Sequence, residues 1–231
     1  ATNILLTNDD GWAVAMIRAQ NDALKEAGYN VVLSCPAENK SGTGSSTATP
    51  TTLTEPCEYD TCPTGSPPEG FNASDPTLNY VNAYPADSAK YGIQTLGPKF
   101  FGGKPDFVVS GPNVGNNLGN TVQISGTVGA ACEAALEGVP SVSFSGSGSD
   151  LAQCAAAADY QFVLTRILAD ASATDVETCG TDHLPAEGDV VGNGCYVSVS
   201  VYNASTKADV DAATQGVVLN RFGDFLTCYD S

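Results

Sequence analysis

The sequence predicts a three-layer α/β fold, a mostly parallel sheet with helices on both faces, followed by a C-terminal β-hairpin region. Three observations predict it. Short apolar runs alternate with segments of helical periodicity along most of the chain, and that alternation implies parallel strands joined by crossover helices. Asp9, Asp10, Ser110 and Ser145 each follow or end an apolar run, and open α/β sheets bind ligands beyond the carboxyl ends of their strands. The length of 231 residues, 42% of them hydrophobic and 15% charged, suits one domain, residues 1–231, with a sizeable core. In that sense the organisation is Rossmann-like.

The elements follow in order. Residues 3–7, built on Ile4, Leu5 and Leu6, read as the first strand. Residues 12–28 carry Val14, Ile17 and Leu24 at helical spacing and end at Gly28, a C-cap signal. "NVVLSC" is a second strand and "PDFVVSG" a third. Residues 36–76 are rich in Ser, Thr, Pro and Gly. They read as a long loop with room for a hairpin, and loops of that length are often functional. "GTVGAACEAALEG" is a helix ending at Gly138, and "VPSVSFSG" is another strand. Residues 151–170 read as a second strong helix and residues 172–194 as a second polar loop. "CYVSVSVYN" alternates like a half-buried strand, and "GVVLNRFGDFLTCY" reads as the C-terminal hairpin.

Charge narrows the partners. Twenty-six acidic residues against 9 basic ones give a net charge of -17. Such a surface opposes nucleic-acid polymers and anionic membranes, and no apolar stretch is long enough to span a bilayer. A phosphorylated substrate would need a local cation to reverse this field. The chain has 8 Cys without zinc-knuckle spacing, and its single His183 cannot complete a multi-His site and reads as a surface residue. An even Cys count in a Ser-, Thr-, Gly- and Ala-rich acidic chain reads as disulfides in a secreted protein. Cys57 and Cys62 bracket "CEYDTC", a small loop that a disulfide can close. Buried thiols fit Cys132 and Cys154 best, and the other pairings are open. Sequons at Asn39, Asn72 and Asn203 agree with a secreted glycoprotein. The start at Ala1 without a charged leader fits a removed signal peptide, and equally a trimmed chain.

The chemistry concentrates in four segments. In "ILLTNDDG" the adjacent carboxylates of Asp9 and Asp10 end a core strand. Burial and mutual repulsion oppose them there. A divalent cation would hold them together, with Gly11 letting the backbone turn. Alternatively they are an N-cap pair for the following helix. "PAENKSGTGSS" offers hydroxyls and glycines, with Lys40 beside Ser41, or is an ordinary loop. "SGPNVGNNLGN" supplies Asn113 and Asn117 as neutral oxygen donors. "SGTVGAA" opens a helix with Ser125, Gly126 and Thr127, a terminus suited to an anion or to simple capping by Ser125.

Together, "ILLTNDDG", "NKSG", "SGPNVGNNLG" and "SGTVGAA" resemble the motif series of the SurE-type phosphatase/nucleotidase family, from Ile4 to about Ser145. "NDDGW", "SGTGSS" and "GFNASDP" are most similar to its secreted fungal, acid-phosphatase-like branch. The resemblance implies a divalent metal held by Asp9, Asp10, Ser41 and Asn113. It places Asn117, Ser125, Gly126 and Thr127 around a substrate phosphate. All-oxygen ligands suit Mg²⁺ or Mn²⁺, and also Ca²⁺, rather than zinc. The implied activity is hydrolysis of a small phosphomonoester, with Asp9 or Asp10 as base. The alternative is a secreted protein of the same fold that binds without turnover. Family members commonly dimerise through C-terminal segments, but the dense acidic surface favours a monomer here. The chain departs from the family pattern at "VAMI", at Tyr84 in "AYPADSA" and at Ile124 before "SGTV". Those departures bear on substrate choice rather than on the implied ligands.

Overall fold

The computed structural model describes residues 1–146, 160–191 and 193–230. The chain divides into two compact units, Ala1–Asn116 with Val122–Gly146, and Asn117–Thr121 with Ser147–Ser231.

The first unit holds β1 (Asn3–Thr7), α1 (Ala15–Glu26), β2 (Asn30–Pro36), β3 (Glu69–Asn72), β4 (Asp75–Val81), α2 (Pro85–Tyr91), α3 (Gly97–Phe101), β5 (Phe107–Val114), α4 (Gly126–Leu136) and β6 (Ser141–Gly146). Its six strands lie in the order β3-β4-β2-β1-β5-β6. All neighbours are parallel except β3 and β4. Successive side chains on a strand face opposite sides. Leu6 accordingly joins Ile17 of α1, Val31 and Leu33 in one core, while Leu5 joins Ile93, Val108, Ala134 and Val139 in another. Both faces of β1 are covered by helices, which is why it reads as an unbroken apolar run. From β1 the chain winds one way through β2 and β4, then returns to the other side of β1 for β5 and β6. The winding direction therefore reverses between β1 and β5, and a crevice opens at such a reversal.

The second unit holds β7 (Gln161–Thr165), α5 (Glu187–Val191), β8 (Tyr196–Ser200) and α6 (Ala212–Phe222). β7 and β8 form a two-stranded parallel sheet. Its polar interior is tied together by Arg166, which pairs with Asp175 and, at 3.6 Å, with Asp209. Asp175 also accepts from Gln215 Nε2 at 2.8 Å and from the Leu184 N–H at 3.0 Å.

The α/β class, the parallel sheet and the helices on both faces agree with the sequence reading, and three local expectations do not. The helix expected over residues 151–170 is overturned at Gln161–Thr165, which is β7. "QFVLT" is composed of strand formers and pairs with β8. Residues 151–159 of that expectation lie outside the described residues. The C-terminal hairpin is overturned by α6, whose N-cap Asp211 accepts from the Thr214 N–H at 2.8 Å. Val217 and Val218 made the stretch look strand-like, yet only Gln215 of this helix is buried, so no second apolar face requires a strand. The polar loop over 172–194 contains α5. The hairpin placed within 36–76 is β3 with β4, at the edge of that range and running on to Val81.

Helices α2 and α3 were not anticipated. The signal is in the sequence: Pro85 opens α2, and Asp87 Oδ2 accepts from the Tyr84 N–H at 3.1 Å, half of a capping box. Disulfides join Cys57 to Cys62 and Cys179 to Cys228, and Cys195 is also disulfide-bonded. Cys132 is buried in α4, as expected. Cys35 is a buried free thiol, and burial pushes its pKa far up. Cys154 lies outside the described residues. Among the described residues no helix is long and apolar enough to cross a membrane.

Candidate functional site

The site begins where β1 stops. Asn8 clamps the turn, donating from Nδ2 to Gly11 O at 3.0 Å and accepting from the Gly11 N–H at 3.3 Å. Gly11 has φ +114°, which side-chain-bearing residues rarely adopt. The turn lets two adjacent acids serve one end of the sheet.

Asp9 and Asp10 are both buried, at 2% and 6% exposure. Asp9 Oδ1 accepts from Thr127 Oγ1 at 2.6 Å, and the same hydroxyl lies 3.3 Å from Asn113 Oδ1. One hydroxyl thus brings a carboxylate oxygen and an amide oxygen from distant elements together. Asp10 Oδ2 accepts from the Val114 N–H at 3.0 Å. β1 and β5 are in register through Thr7 and Ser110, and this places the end of β5 beside the acids. Asn113 is oriented by donating from Nδ2 to Gly115 O at 2.9 Å. The helix-cap alternative for the acids is overturned. α1 has Val14 as its N-cap, makes no side-chain cap bond and has no acid in its first turn.

α4 meets the acids end-on. Ser125 caps it, accepting from the Val128 N–H at 3.2 Å. The N–H groups of Gly126 and Thr127 have no partner within the helix, as first-turn groups never do. A Cβ on Gly126 would lie 2.8 Å from Asp9 Cβ and 3.0 Å from Asp9 Oδ2. The glycine is what allows the helix terminus to touch the carboxylate. Ser110 Oγ donates to Thr127 O at 2.7 Å, fixing the helix to β5.

The loop after β2 closes over the same place. The Lys40 N–H donates to Asp9 O at 2.7 Å, so Ser41, which is exposed, is one residue from the Asp9 backbone. Lys40 Nζ pairs with Glu38 at 3.3 Å and not with the aspartates. No ion pair reaches Asp9 or Asp10 among the described residues. Burial, and then the neighbouring Asp9 charge, push the Asp10 carboxyl above the usual range, while the Val114 N–H works the other way. Glu58 comes close as well. Its carboxylate occupies the space that a Cβ on Gly11 would need. Burial, Asp10 and Glu38 together raise its pKa.

The structure brings Asp9, Asp10, Asn113, Ser125, Gly126 and Thr127 together and places Ser41 on the adjoining loop. Asn117 belongs to the second unit, where the neighbouring Gly119 N–H donates to Glu187. Sequence reasoning missed the Val114 N–H and Glu58. The first is a backbone group without a residue signature. The second sat inside a loop noted only for its cysteines. Among the described residues no three His, Cys, Asp or Glu side chains gather to hold a metal. A cation here would rest on two carboxylates and neutral oxygens.

The chain resembles several known proteins. The chain is 44% identical to an acid phosphatase of Yarrowia lipolytica over 149 residues, covering 63% of this chain and 42% of that protein. It is 33% identical over 189 residues to a 5'-nucleotidase SurE of Crocosphaera subtropica, covering 82% of this chain and 63% of that protein. The chain thus spans less than two thirds of the length of these relatives. The crystal structure of the SurE protein from Aquifex aeolicus aligns with a TM-score of 0.48 at 35% identity, over 63% of this chain and 51% of that one. The family model described as survival protein SurE matches residues 4–217, past the motif resemblance that ends near Ser145, and the chain belongs to the SurE family.

Proposed function

We propose that this protein is a divalent-metal-dependent phosphomonoester hydrolase of the acid phosphatase or 5'(3')-nucleotidase type. The observation that carries the reading is the contact between Asp9 and the N-terminus of α4. It sets a cation-seeking carboxylate against an anion-seeking helix end, the pairing that a metal-assisted phosphate site needs. The names of the relatives, acid phosphatase and 5'-nucleotidase, point the same way.

The donor chemistry fits a hard cation. Asp9, Asp10, Ser41 and Asn113 offer only oxygen, which suits Mg²⁺ or Mn²⁺ and admits Ca²⁺. Asp9 and Asp10 each spend one oxygen on a protein donor. The other oxygens are left for the site. A bound cation would polarise a phosphoryl oxygen and offset its charge.

The chain's own groups do the remainder. Thr127 holds Asp9 and Asn113 in one orientation. The N–H groups of Gly126 and Thr127, with the Ser125 hydroxyl, bind the equatorial phosphate oxygens. Asp9 or Asp10 takes the proton of the attacking water. Secretion fits the disulfides and the sequons, and the Cys179–Cys228 bond, which ties the C-terminal tail to its own unit, fits a monomer.

Turnover of p-nitrophenyl phosphate with and without a chelator tests the activity. Hydrolysis abolished by chelation and restored by Mn²⁺ is the expected result. No turnover under any metal condition would leave the protein as a binder. A panel of nucleoside monophosphates, polyphosphate and sugar phosphates then identifies the substrate.

A further inference from the structure

Glu58 has no role in the reaction described above, and its placement demands one. Its Oε2 is buried and has no hydrogen-bond partner. It lies against Gly11, beside Asp10, and it is repelled by Asp10 and Glu38. A buried carboxylate oxygen left unpaired costs free energy, and in a native structure such a group calls for a water or an ion.

The loop that carries Glu58 is built to keep it there. The Cys57–Cys62 disulfide closes the loop. The Glu58 N–H donates to Ala37 O at 3.1 Å, and Thr61 Oγ1 donates to Glu58 O at 2.7 Å. Trp12 Nε1 in turn donates to Thr61 Oγ1 at 2.9 Å. Trp12 follows the aspartate turn directly, so the loop and the turn are locked to each other. Tyr59 and Asp60 adopt φ of 56° and 54° to make the bend, conformations costly for residues with side chains.

We propose that Glu58 is a positioning residue for the cation at Asp9 and Asp10. Its Oε2 accepts a hydrogen bond from a water bound to that cation, and the Cys57–Cys62 disulfide holds it in reach. The link runs through water because the described residues contain no cluster of three acidic side chains close enough to ligate directly. Partners of this outer kind orient the ligand field and typically change metal affinity by about 10–100-fold. The inference rests on the metal-site reading above.

The test is Mn²⁺ titration by calorimetry into metal-free wild type, Glu58→Gln, Cys57→Ser/Cys62→Ser and the triple variant. It is paired with kcat and KM for p-nitrophenyl phosphate at saturating Mn²⁺. Glu58→Gln is expected to weaken Mn²⁺ binding by about tenfold and to leave KM unchanged. The disulfide-free variant should weaken binding similarly, and adding Glu58→Gln to it should change the affinity less than about twofold, because the two changes act through one contact. If the disulfide-free variant does not fold, Thr61→Val loosens the same loop and should weaken Mn²⁺ binding in the same direction. Wild-type Mn²⁺ affinity in Glu58→Gln overturns the inference and leaves the metal site standing. Additive losses overturn the role given to the disulfide. Failure of the wild type to bind any divalent cation overturns the functional reading itself, and this inference with it.

Discussion

Asp175 in the second unit and Asp10 in the first are both buried carboxylates, and they are treated in opposite ways. In the second unit, Asp175 has 1% of its side chain exposed and is surrounded by donors, with Arg166 supplying a full positive charge. Asp209 shares that arginine and accepts from the Ile167 N–H at 2.8 Å. Burial opposes the charge on Asp175, but Gln215, Leu184 and Arg166 outweigh it and hold the carboxyl below its usual range. In the first unit, neither Asp10 nor Glu58 has an ion pair among the described residues, and both are pushed up instead. At Asp175 the chain brings its own counter-charge, whereas buried Glu187 of the same unit has only neutral donors, the Gly119 N–H and Ser200 Oγ, and burial raises its pKa. Under the proposed function, the counter-charge at Asp9 and Asp10 is a bound cation.

The most severe way to break the contrast is Asp10→Asn. The change preserves shape and removes one charge. We expect phosphatase activity to fall by about 10²-fold or more, as for loss of a group that acts on the transition state, with weaker metal binding. Meanwhile the metal-free protein should melt no lower than wild type, since a repulsion has been relieved. Near-normal, chelator-insensitive turnover by this variant would leave only a shared fold.

The converse is Arg166→Met in the second unit. This removes the protein's own counter-charge and strands Asp175. A loss of about 3–5 kcal/mol is expected, the usual cost of breaking a buried pair from one side. Denaturant melts should report it, and divalent-cation affinity of the protein that remains folded should be unchanged. A milder loss would mean that Gln215 and the backbone suffice for Asp175.

A gentler probe is pH. Asp175 has a folded-state pKa below its unfolded value near 3.8. Its contribution is therefore complete above that value and is lost as pH falls through the lower, folded one. Asp10 and Glu58 have folded values above 3.8 and 4.5. Their protonated forms are favoured by folding, so the metal-free protein should lose stability as pH rises from those values through the raised ones. Added Mn²⁺ or Asp10→Asn should flatten the second slope and leave the first. Hydrogen exchange resolved by segment reads both slopes in one experiment. A single slope shared by both units would remove the contrast.

The smallest effect expected concerns glycans. Asn39 Oδ1 accepts from the Ser41 N–H at 2.8 Å in the loop beside Asp9, whereas Asn72 and Asn203 occupy turns elsewhere. If the protein is secreted, Asn72 and Asn203 should carry glycan more fully than Asn39. Glycopeptide mapping that finds full occupancy at Asn39 in active enzyme would show that the loop faces away from the substrate's path.

The sequence by itself determined the parallel sheet and pointed to most residues of the candidate site. Strands covered on both faces must be apolar throughout, so β1, β2 and β5 stand out as runs, and the polar residues that interrupt such runs mark the sheet's ligand-binding end. Asp9, Asp10 and Asn113 were visible for that reason, and Cys57–Cys62 was visible because its partners are close in sequence. Tertiary structure decided what local pattern could not. The valines of α6 fit a strand and a helix equally, and the Asp211 cap together with a helix that buries only Gln215 resolved them. "QFVLT" became β7 because β8 was there to pair with it. What the aspartates bond to in place of capping a helix depended on partners 118 and 104 residues away, at Thr127 and Val114. Glu58 acquired its meaning from Gly11, far off in the chain but against it in space. Local sequence sets periodicity and turns, whereas the charge balance of a buried group depends on every element packed around it.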